Sequence, residues 1–283
     1  MIFTVLISMF LVDYFNSPDN NCQVERMTEL KVIEQIKKAD WDATETMKNL
    51  GVGSVPKVIV YLDDSDPDVR EVAIGCLGVV GGDEATKAVV DKLFDQDEYV
   101  VSAAVEYLHD YPPIKHQDKL LKAFNDSDDS FIHINIPLII GKMGDRANKK
   151  PWIDKFQSQE FTDEYKEGII VCLSRLGYQP ARESFERIIA ETEGGDSKVW
   201  LDYCKYMEDT WVVPCIIPLL DKKELALYIV QDRDLYRRTC DLAVITIVDV
   251  TKAEVSFSME QLGQYHFAQQ EIDEVRKLAE SYK

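Results

Sequence analysis

Val55-Pro56-Lys57-Val58-Ile59-Val60-Tyr61-Leu62, followed by Asp63-Asp64-Ser65-Asp66-Pro67-Asp68-Val69-Arg70, is the stretch on which the fold turns. Its first half sets apolar side chains at Val55, Val58, Ile59 and Leu62, the i, i+3, i+4, i+7 spacing of one helical face. An acidic turn follows. Asp66 is placed to accept the orphan amides of a second helix, and Pro67 suits the first helical position, where its missing N–H costs nothing. Val69, Val72, Ala73, Cys76 and Leu77 then share one stripe, and Gly81-Gly82-Asp83 ends the unit. A pair of helices this short cannot cover its own apolar faces, so the unit needs neighbours of its own kind.

The neighbours are present. The last apolar anchor before each acidic turn is Leu62, Leu93, Phe124, Phe156, Ile189 and Leu220, at steps of 31, 31, 32, 33 and 31 residues. A period in this range marks a helical repeat array. The second-helix stripe recurs as Val100, Ala103, Ala104, Tyr107 and Leu108, then as Phe131, Ile134, Leu138 and Ile139 with Pro137 expected to kink the helix. It continues as Tyr165, Ile169, Cys172 and Leu173. The fifth copy reads either as Trp200, Tyr203, Cys204 and Met207 or as a set shifted by one. A longer connection after Leu220 precedes the sixth, at Thr239, Leu242, Ala243 and Ile247.

The expected organisation is an apolar segment and polar linker over 1–26, an array over 27–268 and a capping helix over 269–283 with Ile272, Val275 and Leu278 inward. Within the array, 27–51 forms an atypical first repeat, with Asp42 and Thr44 as candidate caps and Gly51 as the C-terminal breaker. Residues 17–20 read as a turn cluster.

These units resemble HEAT-like repeats, in the short form of about 30 residues named for phycobilin lyases. The resemblance rests on Val55 to Leu62, Asp66-Pro67-Asp68-Val69-Arg70, Ala73 and Leu77-Gly78, and it covers roughly Leu50 to Val250. The stretch Thr239-Cys240-Asp241-Leu242-Ala243 resembles the final repeat of small bacterial HEAT-like proteins. The resemblance implies an all-α fold, an α-solenoid in which antiparallel helix pairs form a right-handed superhelix with second helices on its concave side. A ladder of Asp–Arg pairs between repeats is not expected, because Val101 and Ile132 stand where Arg70 would recur.

Composition bounds the function. With 46% hydrophobic and 29% charged residues the chain folds and stays soluble. Its formal charge of −19 repels phosphate backbones, so no nucleic acid and no anionic membrane face is expected as partner. A basic protein partner suits that field, and a monomer is expected. Met1 to Val12 is an apolar run too short to span a bilayer as a helix. Three readings fit it: an export signal without a basic n-region, a segment packed on the array, or an extension upstream of a true start at Met27. A cytoplasmic protein is expected, with export as the alternative. The six cysteines lie apart, without zinc spacing, and read as buried hydrophobes.

No cofactor, metal or catalytic residue is expected. Asp64-x-Asp66-x-Asp68 opens like a calcium loop, but Val69 holds the sixth place and Gly75 the twelfth, where Gly and Glu belong. Recurrence of acids at each helix junction is what capping demands. Stacked repeats would align these turns into an acidic edge, and Asp64, Asp97 and Asp128 are its candidate partner-binding residues. His133 is a candidate surface histidine beside an apolar stripe. Tyr206 and Trp211 are candidate anchors in the aromatic fifth unit, Tyr206 on its angular position. The functional expectation is a non-enzymatic scaffold or adaptor, of immunity type or otherwise, that binds a basic protein. The alternative is an enzyme or lyase subunit of the phycobilin-lyase-like group.

Overall fold

The computed structural model describes the backbone of residues 18–158, 163–230, 235–259 and 266–283, and the side chains of 25–158, 166–227, 236–259 and 266–283. The run from Met1 to Val12 lies outside the described residues. The chain divides into two compact units, Met1–Pro151 and Trp152–Lys283.

In the first unit, α1 (Pro18–Ile36) and α2 (Asp42–Lys48) form the atypical pair. Residues 18–26, expected as a turn and linker, are helical. Val32 and Ile36 point inward while Leu30 stays exposed. The cap of α2 is neither Asp42 nor Thr44: Asp40 Oδ1 accepts the Asp42 amide at 3.0 Å. Gly51 does break the chain, at φ 68°.

The first regular pair is α3 (Val55–Ile59), continued as a 3₁₀ turn over Val60–Asp63, and α4 (Pro67–Gly78). Val55, Val58 and Leu62 are buried on the first helix, and Val69, Val72, Ala73, Cys76 and Leu77 on the second. Each fully buried Leu, Ile or Val contributes about 1.5–3 kcal/mol, which is what holds helices too short to persist alone. The second pair is α5 (Asp83–Val89), with its 3₁₀ continuation Val90–Phe94, and α6 (Glu98–Asp110). The third is α7 (Gln117–Asp126) and α8 (Ser130–Lys142). Second helices stack in register: α2 packs on α4, α4 on α6, and α6 on α8.

The α8 stripe differs from expectation. Ile132, Ile136, Ile139 and Ile140 are buried, Ile134 is half-buried and Phe131 is 37% exposed. The turn before α8 holds one extra residue, so every side chain is rotated by about 100° from the 31-residue register. α8 runs through Pro137 as a single helix.

In the second unit, α9 (Lys150–Gln157) and α10 (Asp163–Arg175) make the fourth pair, α11 (Gln179–Glu191) and α12 (Gly194–Met207) the fifth. The boundary between units falls inside α9. Phe156, the fourth anchor, is half-buried and meets Tyr178 edge-on, while Ile189 and Leu220 are fully inside. On α12, Trp200, Leu201, Cys204 and Met207 are buried and Tyr203 is half-buried, which settles the fifth register.

The short α13 (Val213–Ile216) opens the sixth unit. The longer connection after Leu220 is a β-hairpin, antiparallel β1 (Leu225–Val230) and β2 (Leu235–Arg238), followed by α14 (Thr239–Thr251). On α14 the buried set is Thr239, Cys240, Ala243, Val244 and Ile247, with Leu242 turned half outward. The cap α15 (Gln269–Ala279) buries Ile272, Val275 and Ala279, and Leu278 is half-buried. Asp241 clamps this end: fully buried, it accepts two bonds from the Arg238 guanidinium, at 2.8 and 2.9 Å, and one from the Phe267 amide.

Candidate protein-docking surface

The acidic turns of the first unit are built by one rule. Asp64 Oδ1 accepts the Asp66 amide, Asp95 Oδ1 the Asp97 amide, and Ser127 Oγ the Asp129 amide, at 3.0–3.1 Å. Asp66, Asp97 and Asp129 then cap α4, α6 and α8 through the amides of Asp68, Tyr99 and Phe131. Asp64 and Asp97 therefore spend part of their acceptor capacity on the backbone, and both are half-buried. Asp128 is exposed and caps nothing; the extra residue moved that role to Asp129.

Across the first joint the turns are tied by an ion pair. Arg70 on α4 gives Nη2 to Asp95 Oδ1 at 2.7 Å and Nε to Asp95 Oδ2 at 3.1 Å, while Nη1 donates to the Asp64 carbonyl at 2.8 Å. Both side chains are nearly buried. Burial alone would raise the Asp95 carboxyl; the Arg70 bond and the Asp97 amide outweigh it and hold it below its ordinary value. One Asp–Arg rung thus exists at this joint, where the sequence has its Arg70.

The next joint lacks it. By the capping pattern, Val101 takes the place of Arg70 and Ser127 that of Asp95. A cavity of about 530 Å³ opens there. Its rim carries three exposed aromatics, Phe94 (40%), Tyr99 (66%) and Phe131 (37%). Glu98, Asp126 and Asp129 add carboxylates. Lys122 pairs with Asp126 and lies over the Phe94 ring at 4.7 Å.

Tyr99 and Ser102 also belong to a second hollow, of about 380 Å³, on the face of α4 and α6. Trp41 forms its edge, half exposed and lying across Gly75, where a Cβ would come within 2.5 Å of the indole. Glu71 and Glu106 supply its charge. Burial and the neighbouring charges of Asp68, Asp97 and Glu106 raise the Glu71 carboxyl. This face is aromatic and crowded with negative charge, and an arriving cation relieves that crowding.

Residues 55–135 match the HEAT repeats family model. That span runs from α3 into α8 and takes in both the closed and the open joint. No curated protein matches the sequence. Among solved structures the chain is similar to the complex of CpcE and CpcF of phycocyanin lyase from Nostoc sp. PCC7120, at 14% identity and a TM-score of 0.50. The likeness covers 85% of this chain and 88% of that one. At such identity it shows the fold alone: an all-α solenoid of HEAT repeats, here with one small hairpin.

The remaining candidates have structural surroundings. His133 is buried, not a surface group; its Nε2 meets the Phe124 carbonyl at 3.0 Å and its ring packs on Phe124. The extra turn residue turned it inward. Tyr206 is half-buried under the Arg175 guanidinium, which lies 4.5 Å from its ring. Trp211 is half-buried between Phe185 and Arg182. The second unit therefore spends these two rings on packing. Burial pushes the thiols of Cys76 and Cys215 up to about 12, far from a reactive thiolate. Among the described residues no three His, Cys, Asp or Glu side chains converge to hold a metal, and no helix is long and apolar enough to cross a membrane. The exposed trio Phe94, Tyr99 and Phe131 was missed from sequence. The available signal was departure from the first copy: Phe94 and Tyr99 stand where Asp63 and Asp68 stand there.

Proposed function

We propose that this chain is a docking module that binds a basic protein through the acidic, aromatic second-helix face of its first unit. One observation carries the reading. Trp41, Tyr99 and Phe131 stay exposed beside Glu71, Glu98 and Glu106 although a folded chain gains by covering rings of that size. Aromatic anchors within a charged rim are the composition of binding hot spots. The overall charge of −19 speeds encounter with a cationic partner and repels anionic ones. The helices that carry these residues are pre-formed, so little ordering is lost on binding.

The test is affinity capture followed by reconstitution from purified proteins. The expected outcome is a complex with a basic protein that weakens as salt shortens the screening length below about 8 Å and that W41A/Y99A disrupts. Binding that ignores both salt and these rings would refute the assignment.

The fold likeness to a phycocyanin lyase complex raises a second reading, a lyase subunit acting on a chromophore. Such chemistry calls for a nucleophile or proton donor at a pocket mouth; the two hollows on this face hold no Cys or His, and Glu71, with its raised carboxyl, is the proton donor they offer. Co-expression with a bilin-producing pathway, read by visible absorbance of the purified chain, separates the two readings.

A further inference from the structure

We propose that the open joint at Val101 and Ser127 is a receptor for an arginine side chain of the partner protein. The inference deepens the docking reading and rests on it.

The molecule contains its own precedent. In the first joint a guanidinium threads between two consecutive turns, forks onto Asp95 and donates to a backbone carbonyl. The second joint repeats the side-chain-to-amide turn and the capping Asp, with one more residue before the cap of α8. What it lacks is the plug. Val101 is too short to reach the next turn, and the volume an arginine would fill is open to solvent.

The walls suit that occupant. Phe94, Tyr99 and Phe131 line the opening and are exposed, and a cation is attracted to the face of such a ring by its quadrupole. Glu98 is exposed and forms no ion pair among the described residues. Lys122 demonstrates the affinity of this wall for positive charge: its ammonium sits over Phe94 while bound to Asp126. A planar guanidinium can stack on a ring and fork onto a carboxylate together, which an ammonium cannot. The slot therefore favours arginine over lysine.

The probe is the blocked peptide acetyl-Gly-Arg-Gly-amide, titrated into the ¹⁵N-labelled full chain, with citrulline and lysine counterparts in parallel. The arginine peptide is expected to shift the amides of Tyr99, Val101, Ser127 and Phe131, the lysine peptide to bind several-fold more weakly, and the citrulline peptide to leave them in place. V101R/S127D supplies the plug from within; it is expected to melt at or above the native temperature and to lose the response. Should that variant fold poorly, Y99A, at a ring two-thirds exposed, is expected to weaken the peptide about threefold, the loss of one exposed cation–π contact. Equal shifts with citrulline, shifts confined to another face, or an undiminished response in both variants would overturn the slot. A purified basic partner that binds V101R/S127D as tightly as the native chain also sinks the slot, yet leaves the docking function standing.

Discussion

Two successive joints of the first unit share one capping motif and are finished differently. Between the first and second repeats Arg70 and Asp95 close the gap; between the second and third Val101 and Ser127 leave it open. Both joints hold, because second helices pack through their apolar stripes in either case. The ion pair is thus not what stacks the repeats. It fills a gap that the second joint leaves as a cavity. The two charges are also absent together. A lone carboxylate or guanidinium in that gap would be desolvated without compensation, whereas removing both is nearly neutral.

The largest effect should come from breaking the closed joint halfway. Arg70→Val leaves the Asp95 carboxylate nearly buried and is expected to cost about 3 kcal/mol, at the low end for a broken buried pair. R70V/D95S copies the open joint in full. Serine keeps the turn bond to the Asp97 amide, as Ser127 keeps its bond to Asp129. The double variant should therefore recover about 1 kcal/mol or more of the loss. Urea midpoints of the native chain and both variants measure this. A double variant as unstable as R70V would mean that the pair's charges do not compensate one another.

Acid should erase the same difference. The Asp95 carboxyl is lowered in the folded chain, from an unfolded value near 3.9. A carboxylate shifted that way stabilises the fold fully above its unfolded value and loses that contribution as pH falls through the folded one. The gap between native and R70V should narrow as pH falls, first as the unpaired Asp95 of the variant takes up a proton and then as the native pair is lost. The open joint, with no carboxylate at 127, has nothing of the kind to lose. A gap unchanged down to pH 2 would show that Arg70 acts through packing and the Asp64 carbonyl alone.

How much of this could be read from the chain follows from what repeats and what does not. The six anchors and the stripe of α4 were legible because burial of apolar groups is periodic; five of the anchors are inside and Phe156 is half-buried. The strand pair β1 and β2 was not legible, because among the described residues no second copy calibrates it. The docking surface was half legible. The acidic turns were visible, and so was the replacement of Arg70 by Val101, but that replacement reads as a missing contact until the space it leaves can be seen. His133 failed for a different reason: counting by 31 placed it beside the stripe, and the turn before α8 is longer by one residue.

That extra residue yields the finest test of the comparison. By constant spacing, Asp128 is the counterpart of the caps Asp66 and Asp97; by hydrogen bonding it is Asp129, which accepts the Phe131 amide at 2.9 Å. Asp129→Ala should then cost about 1 kcal/mol, the ordinary loss of a helix cap, and Asp97→Ala a similar amount. Asp128→Ala should stay within about 0.5 kcal/mol, as for an exposed side chain without a backbone role. The three urea midpoints decide which turn geometry the third repeat adopts. Reversal of the Asp128 and Asp129 effects would restore the 31-residue register, return Phe131 to the core and close the open joint from the other side.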